Sequence, residues 1–120
     1  MDKFQAYHNF WSSFGWAAYD ESSVPDMAVF PYITYEAAVD SFPASVALTA
    51  SLWSRSGGWS DIAAMEKIIA NTITIGGTII QNDEGAFWIK KGQPWAQRMG
   101  DASDDMVKRI VLNIELEFIE

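Results

Sequence analysis

The sequence predicts an α+β domain in which a mostly antiparallel β-sheet carries two helices on one face. Three observations predict it. Met106 to Ile119 alternates apolar and polar residues with period two, the pattern of a long half-buried strand. Two other stretches, around residues 2–14 and 60–73, repeat apolar residues at spacings of three and four, the pattern of amphipathic helices. Short alternating runs between them are punctuated by Gly, Pro, Asn and Asp. The expected order is α-β-β-α-β-β-β-β. No repeat or linker divides the chain, so residues 1–120 are read as a single domain.

The first helix is expected over Asp2 to Phe14, with Phe4, Tyr7, Phe10 (or Trp11) and Phe14 on one stripe and Gly15 as its stop. Ala17 to Met27 contains Asp20, Glu21, Ser22, Ser23 and Pro25 and is expected to be an irregular loop. Val29 to Asp40 reads as a strand with Ile33, Tyr35, Ala37 and Val39 on one face, entered through Pro31. Ser41-Phe42-Pro43 connects it to a second strand, Ala44 to Ser54, with Val46, Leu48, Ala50 and Leu52 on one face. Two alternating runs joined so briefly predict an antiparallel hairpin.

Gly57-Gly58 ends that strand. Ser60 is the expected cap of a second helix, with Asp61 in its first turn and Ile62, Met65, Ile69 and Ile73 as its apolar stripe. Gly76-Gly77 stops it. A meander follows. Thr78 to Gln81 and Ala86 to Lys90 flank the turn Asn82-Asp83-Glu84-Gly85, and Gly92-Gln93-Pro94 precedes a separate short strand at Trp95 to Met99. The last strand places Ile110, Leu112, Ile114, Leu116 and Phe118 on one face and Arg109, Asn113, Glu115 and Glu117 on the other.

Composition narrows the function classes. The chain has no cysteine, which removes disulfides, thiol catalysis and thiolate metal sites. Sixteen acids against 8 bases give a formal charge of −8, so the surface repels nucleic acid on average. No apolar run reaches the roughly 18 residues of a membrane span, and the N-terminus has no signal-like apolar core. No membrane partner is therefore expected.

No residue set is expected to be catalytic, cofactor-binding or metal-binding. His8, the single histidine, reads as a partly exposed helix residue. Glu115 and Glu117 share a strand face and could in principle divide acid and base roles in a hydrolase. A solvated outer face explains them better, because Ile110, Leu112, Ile114, Leu116 and Phe118 all face the other way. Asp101, Asp104 and Asp105 do not match a calcium-loop spacing. The glycine pairs lack the spacing and the lysine of a phosphate loop. Trp53, Arg55, Trp59, Trp88 and Trp95 are instead candidate subunit-interface residues, since aromatic and arginine side chains are favoured at interface cores.

The order of elements, with the second helix entered through Trp53, Arg55, Ser56 and Trp59 and a meander ending in a long strand, resembles the tail terminator or tail completion proteins of long-tailed bacteriophages and prophages. The resemblance covers roughly Tyr32 to Phe118. It implies a virion protein without enzymatic activity or cofactor, assembled in the bacterial host cytoplasm. It further implies partners: other copies of itself in a ring, commonly hexameric, the tail tube protein, and a head-completion protein. DNA would pass through the ring without specific binding. The alternative from another class is a small α+β regulatory module that binds a ligand or peptide through the sheet and its tryptophans.

Overall fold

The computed structural model describes residues 1–37, 45–100 and 103–119. The elements are α1 (Lys3–Ser12), β1 (Ala17–Asp20), β2 (Tyr32–Tyr35), β3 (Ser45–Arg55), α2 (Ser60–Thr72), β4 (Thr78–Asn82), β5 (Gly85–Gly100) and β6 (Val107–Ile119). The strands form one sheet in the order β1-β2-β3-β6-β5-β4. Every pairing is antiparallel except β1 with β2. The α+β class, the antiparallel character of the sheet and the two helices are as the sequence predicts.

The strands fall three before α2 and three after it, and two differences from expectation cause this. Ala17–Asp20 is a strand, not part of a loop, and pairs in parallel with Tyr32–Tyr35. The turn-forming residues begin only where it ends: the Asp20 carboxylate accepts hydrogen bonds from the Ser22 N–H (3.0 Å) and hydroxyl (2.7 Å). Ala86 to Lys90 and Trp95 to Met99 are one strand, β5, carried past Gly92-Gln93-Pro94 by a register shift between Lys91 and Ala96. Asn113 Nδ2 donates to the Pro94 carbonyl at 3.0 Å and anchors the bulge, and Gly92 lets the Asn113 backbone approach.

Boundaries shift elsewhere. β2 ends at Tyr35, and Ala38 to Asp40 with the expected connection Ser41-Phe42-Pro43 lies outside the described residues, as does Asp101. The residue capping α2 is Trp59, without a side-chain hydrogen bond, and Ser60 is the first helical residue. The preceding turn is set by Ser56, whose hydroxyl accepts from the Gly58 N–H at 3.1 Å.

β6 lies in the middle of the sheet, paired with β3 along one side and β5 along the other. Ile110, Leu112, Ile114 and Leu116 are buried, and Phe118 packs against them partly exposed. Leu48, Ala50 and Leu52 of β3 continue this inner face, and Ile62, Met65 and Ile69 of α2 cover it. Ile73 caps α2 and is itself fully buried.

α1 does different work. It packs against β1 and β2 near one edge of the sheet and against β4 and β5 at the other. A flat sheet of 6 strands would be about 24 Å across, twice the width of a helix. The sheet must therefore curl around α1, which fills the gap between its two edges. Ala6, Tyr7, Phe10 and Trp11 are buried there, whereas Phe4 is 43% exposed and does not join the stripe. The Tyr7 hydroxyl donates to the Glu36 carbonyl at 2.9 Å, and His8 Nδ1 lies 2.7 Å from the Tyr35 hydroxyl. At the far edge the Asp83 N–H donates to the Met1 carbonyl at 2.9 Å, and the terminal ammonium pairs with the Asp83 carboxylate.

Two outcomes test this packing. Leu112→Ala or Ile114→Ala should each lose about 2–5 kcal/mol of stability in denaturant titrations, because both side chains are essentially inaccessible. Burial also holds the Tyr7 phenol above its ordinary pKa of 10.0. The unfolded chain then gives up that proton at lower pH than the folded one. Stability should accordingly fall as pH rises beyond about 10, and Tyr7→Phe should flatten that fall in unfolding midpoints measured across the range.

Candidate functional site

Both helices pack on the inner face, so among the described residues the opposite face of the sheet has no helix over it. The register decides what it displays. Tyr32 of β2 lies opposite Trp53 of β3, and Trp53 lies opposite Arg109 of β6, which in turn lies opposite Met99 of β5. Tyr19 of β1 touches Tyr32 edge to face, with ring centroids 5.9 Å apart. One row of side chains thus crosses the sheet from its β1 edge to β5, about 19 Å over four strand spacings.

The row is held together ring by ring. Tyr32 stacks on Trp53 at 6.2 Å and an interplanar angle of 26°, and Phe30 packs against Tyr32 with ring centroids 5.2 Å apart. Trp53 Nε1 donates to Thr34 Oγ1 at 3.0 Å, which satisfies the indole and fixes its orientation. The Arg109 guanidinium lies over the Trp53 ring, 4.6 Å from its centroid, and Arg109 Nε donates to Ser51 Oγ at 3.1 Å. Among the described residues its terminal nitrogens have no hydrogen-bond partner and no carboxylate within ion-pair distance. Glu21 feels the positive charge from farther off, but burial and the neighbouring Glu36 outweigh it, and the Glu21 carboxyl is pushed above its ordinary range. Beside Arg109 a shallow depression of about 210 Å³ is lined by Trp53, Met99, Gly100 and Val107.

The five candidate interface residues do not form one patch. Trp53 is in the row just described. Arg55, exposed at the end of β3, is paired with Asp104 at 3.0 Å and does not reach Trp53's partner Arg109. Trp59 caps α2 at the end of the helix-covered side, with Arg98 (5.0 Å) and Lys108 (5.8 Å) over its ring. Trp95 sits in the β5 bulge against the core, its indole N–H buried and, among the described residues, without a hydrogen-bond partner.

Trp88 is on the helix-free face but at the opposite end, level with Glu117. Lys90 lies over its ring at 4.2 Å, and its indole donates to the Gly76 carbonyl at 2.8 Å. Glu115 and Glu117 occupy this same end, Glu115 facing Lys90 at 3.9 Å.

The sequence reading missed Arg109, Tyr32 and Tyr19 as members of the site. Arg109 was legible as an outer-face residue from the alternation of β6; its position on Trp53 required the pairing register.

Comparison with protein-family models, curated proteins and solved structures finds no match to the chain. Among the described residues no group of three His, Cys, Asp or Glu side chains could hold a metal ion, and no helix is long and apolar enough to cross a membrane.

The seat of Trp88 yields a paired test. Gly77 has φ +86°, and an added Cβ would lie 2.3 Å from Trp88 Nε1 and 2.8 Å from the Ile89 carbonyl oxygen. Gly77→Ala should cost more than about 1 kcal/mol in thermal or chemical unfolding. Gly76→Ala meets open space and should change stability by no more than about 0.5 kcal/mol.

Proposed function

We propose that the protein is an assembly subunit that completes a phage tail: it caps the tail tube, offers the surface to which the head joins, and acts as a ring of copies around the DNA channel. The observation that carries this reading is the helix-free sheet face with its row Tyr19, Tyr32, Trp53 and Arg109. Half-exposed aromatics around an arginine that has no carboxylate within ion-pair distance among the described residues have the composition of an interface core. The element order that resembles tail terminators supports the specific role. A charge of −8 suits a channel through which phosphates must slide without being held.

A small-molecule binding module is the competing function. The depression beside Arg109, at about 210 Å³, is smaller than the roughly 300–1,000 Å³ usual for such sites, and it weighs toward a protein partner.

The test is reconstitution. Tail tubes assembled without the protein should, on its addition, become uniform in length by electron microscopy and competent to join filled heads. The purified protein should meanwhile show no salt-sensitive retention of duplex DNA. Tubes that are neither capped nor joined would remove the tail role.

A further inference from the structure

We propose that the two ends of the helix-free face bind each other between copies: the Trp53–Arg109 end of one subunit receives the Glu115–Glu117 end of another. This names the self-contact of the assembly reading and rests on it for its purpose, though not for its chemistry.

The argument begins with β6. Arg109, Glu115 and Glu117 all point to the helix-free side of this one strand, and six to eight residues of extended chain separate the cation from the acids, about 20–26 Å. That distance is too long for them to meet within a subunit. The strand therefore displays opposite charge at its two ends.

Each end is incomplete alone. Arg109 is immobilised by the Trp53 ring and by Ser51, yet no carboxylate lies within ion-pair distance among the described residues. At the other end, among the described residues, Glu117 has no cation within that distance and Glu115 has Lys90 at 3.9 Å. A guanidinium fixed in place presents its terminal N–H fork with little further ordering cost, and a carboxylate is its natural acceptor.

The middle of the face does not obstruct such an approach. Between the two ends it carries Ala47, Thr49 and Ser51 on β3 beside Asn113 and Val111 on β6, and the Glu36 carboxylate is held down on Thr49, accepting from its N–H at 2.6 Å and its hydroxyl at 2.8 Å. A shallow depression of about 190 Å³ opens there. The bulkier residues, Trp53 with Tyr32 at one end and Trp88 at the other, would supply the apolar contact around the ion pairs. A second copy is the occupant argued here because it brings the complementary charge on the same face. With 16 acids against 8 bases the net charge makes two copies repel, so contact is favoured where the Arg109 guanidinium meets the Glu115 and Glu117 carboxylates.

The experiment reverses the charges one end at a time. Sedimentation equilibrium up to millimolar protein should show the parent heavier than a monomer at low salt and lighter as salt rises. Arg109→Glu, and separately Glu115→Arg with Glu117→Arg, should each weaken self-association by roughly tenfold or more. An equimolar mixture of the two variants should associate again, since each then offers the end the other lacks. A parent that stays monomeric throughout overturns the contact. So do variants that associate as the parent does, or a mixture that stays apart while the parent associates.

If circular dichroism shows Arg109→Glu misfolded, Arg109→Gln replaces it, and parent-like association by that variant overturns the contact equally. Rescue in the mixture without any capping of tail tubes would leave the contact standing and remove the tail role. Capping of tail tubes together with parent-like association by both variants would leave the tail role standing and remove the contact.

Discussion

The alternation of β6 is the constraint on which the rest of the molecule depends. Its apolar side, Ile110 to Leu116, is buried under α2 and continues into β3, and its polar side is what the subunit displays. A slip of one residue in its pairing with β3 would exchange the two sides completely, exposing the core and burying Arg109 and both glutamates. The hydrophobic term therefore fixes more than stability. By fixing the register it places Trp53 opposite Arg109, and the outer row of side chains follows without any further instruction.

A second constraint concerns the edges. β1 and β4 end the sheet, and strands left bare invite pairing with other chains. Here both edges are short, four and five residues, and α1 packs beside each of them. The helix could not do so unless the sheet curled. Tyr7, reaching the Glu36 carbonyl, and the ammonium of Met1, reaching Asp83, tie the helix to opposite sides of the gap. Burial of the Tyr7 phenol is a by-product of that position.

The cations show how an acidic protein can still present positive charge locally. Arg109, Arg98 and Lys108 all lie over tryptophan rings near the same end of the sheet, and none has a carboxylate within ion-pair distance among the described residues. An ammonium or guanidinium over an aromatic face is stabilised without being neutralised. The terminal N–H groups of Arg109 remain available to a partner, whereas the Lys108 ammonium already donates to the Asp105 carbonyl. Arg55, which does have a carboxylate beside it, has much less to offer a neighbouring subunit.

Much of the fold was legible in the sequence because local patterns dictated it. The strand of Met106 to Ile119, the stripe Ile62, Met65 and Ile69, and the turn at Asn82 to Gly85 all follow from periodicity and turn chemistry over a few residues. The strand at Ala17–Asp20 was not legible, since four residues give no period and its partner Tyr32–Tyr35 is supplied by the tertiary fold. The continuity of β5 was hidden for a related reason: Gly92 and Pro94 signal a break, and only pairing with β6 on both sides of them carries the strand through. For the site, the sequence by itself determined the residue types and which face of β6 they occupy. Tertiary structure alone decided which of them touch, because contact across a sheet depends on strand order and register between segments as distant as Tyr32, Trp53 and Arg109.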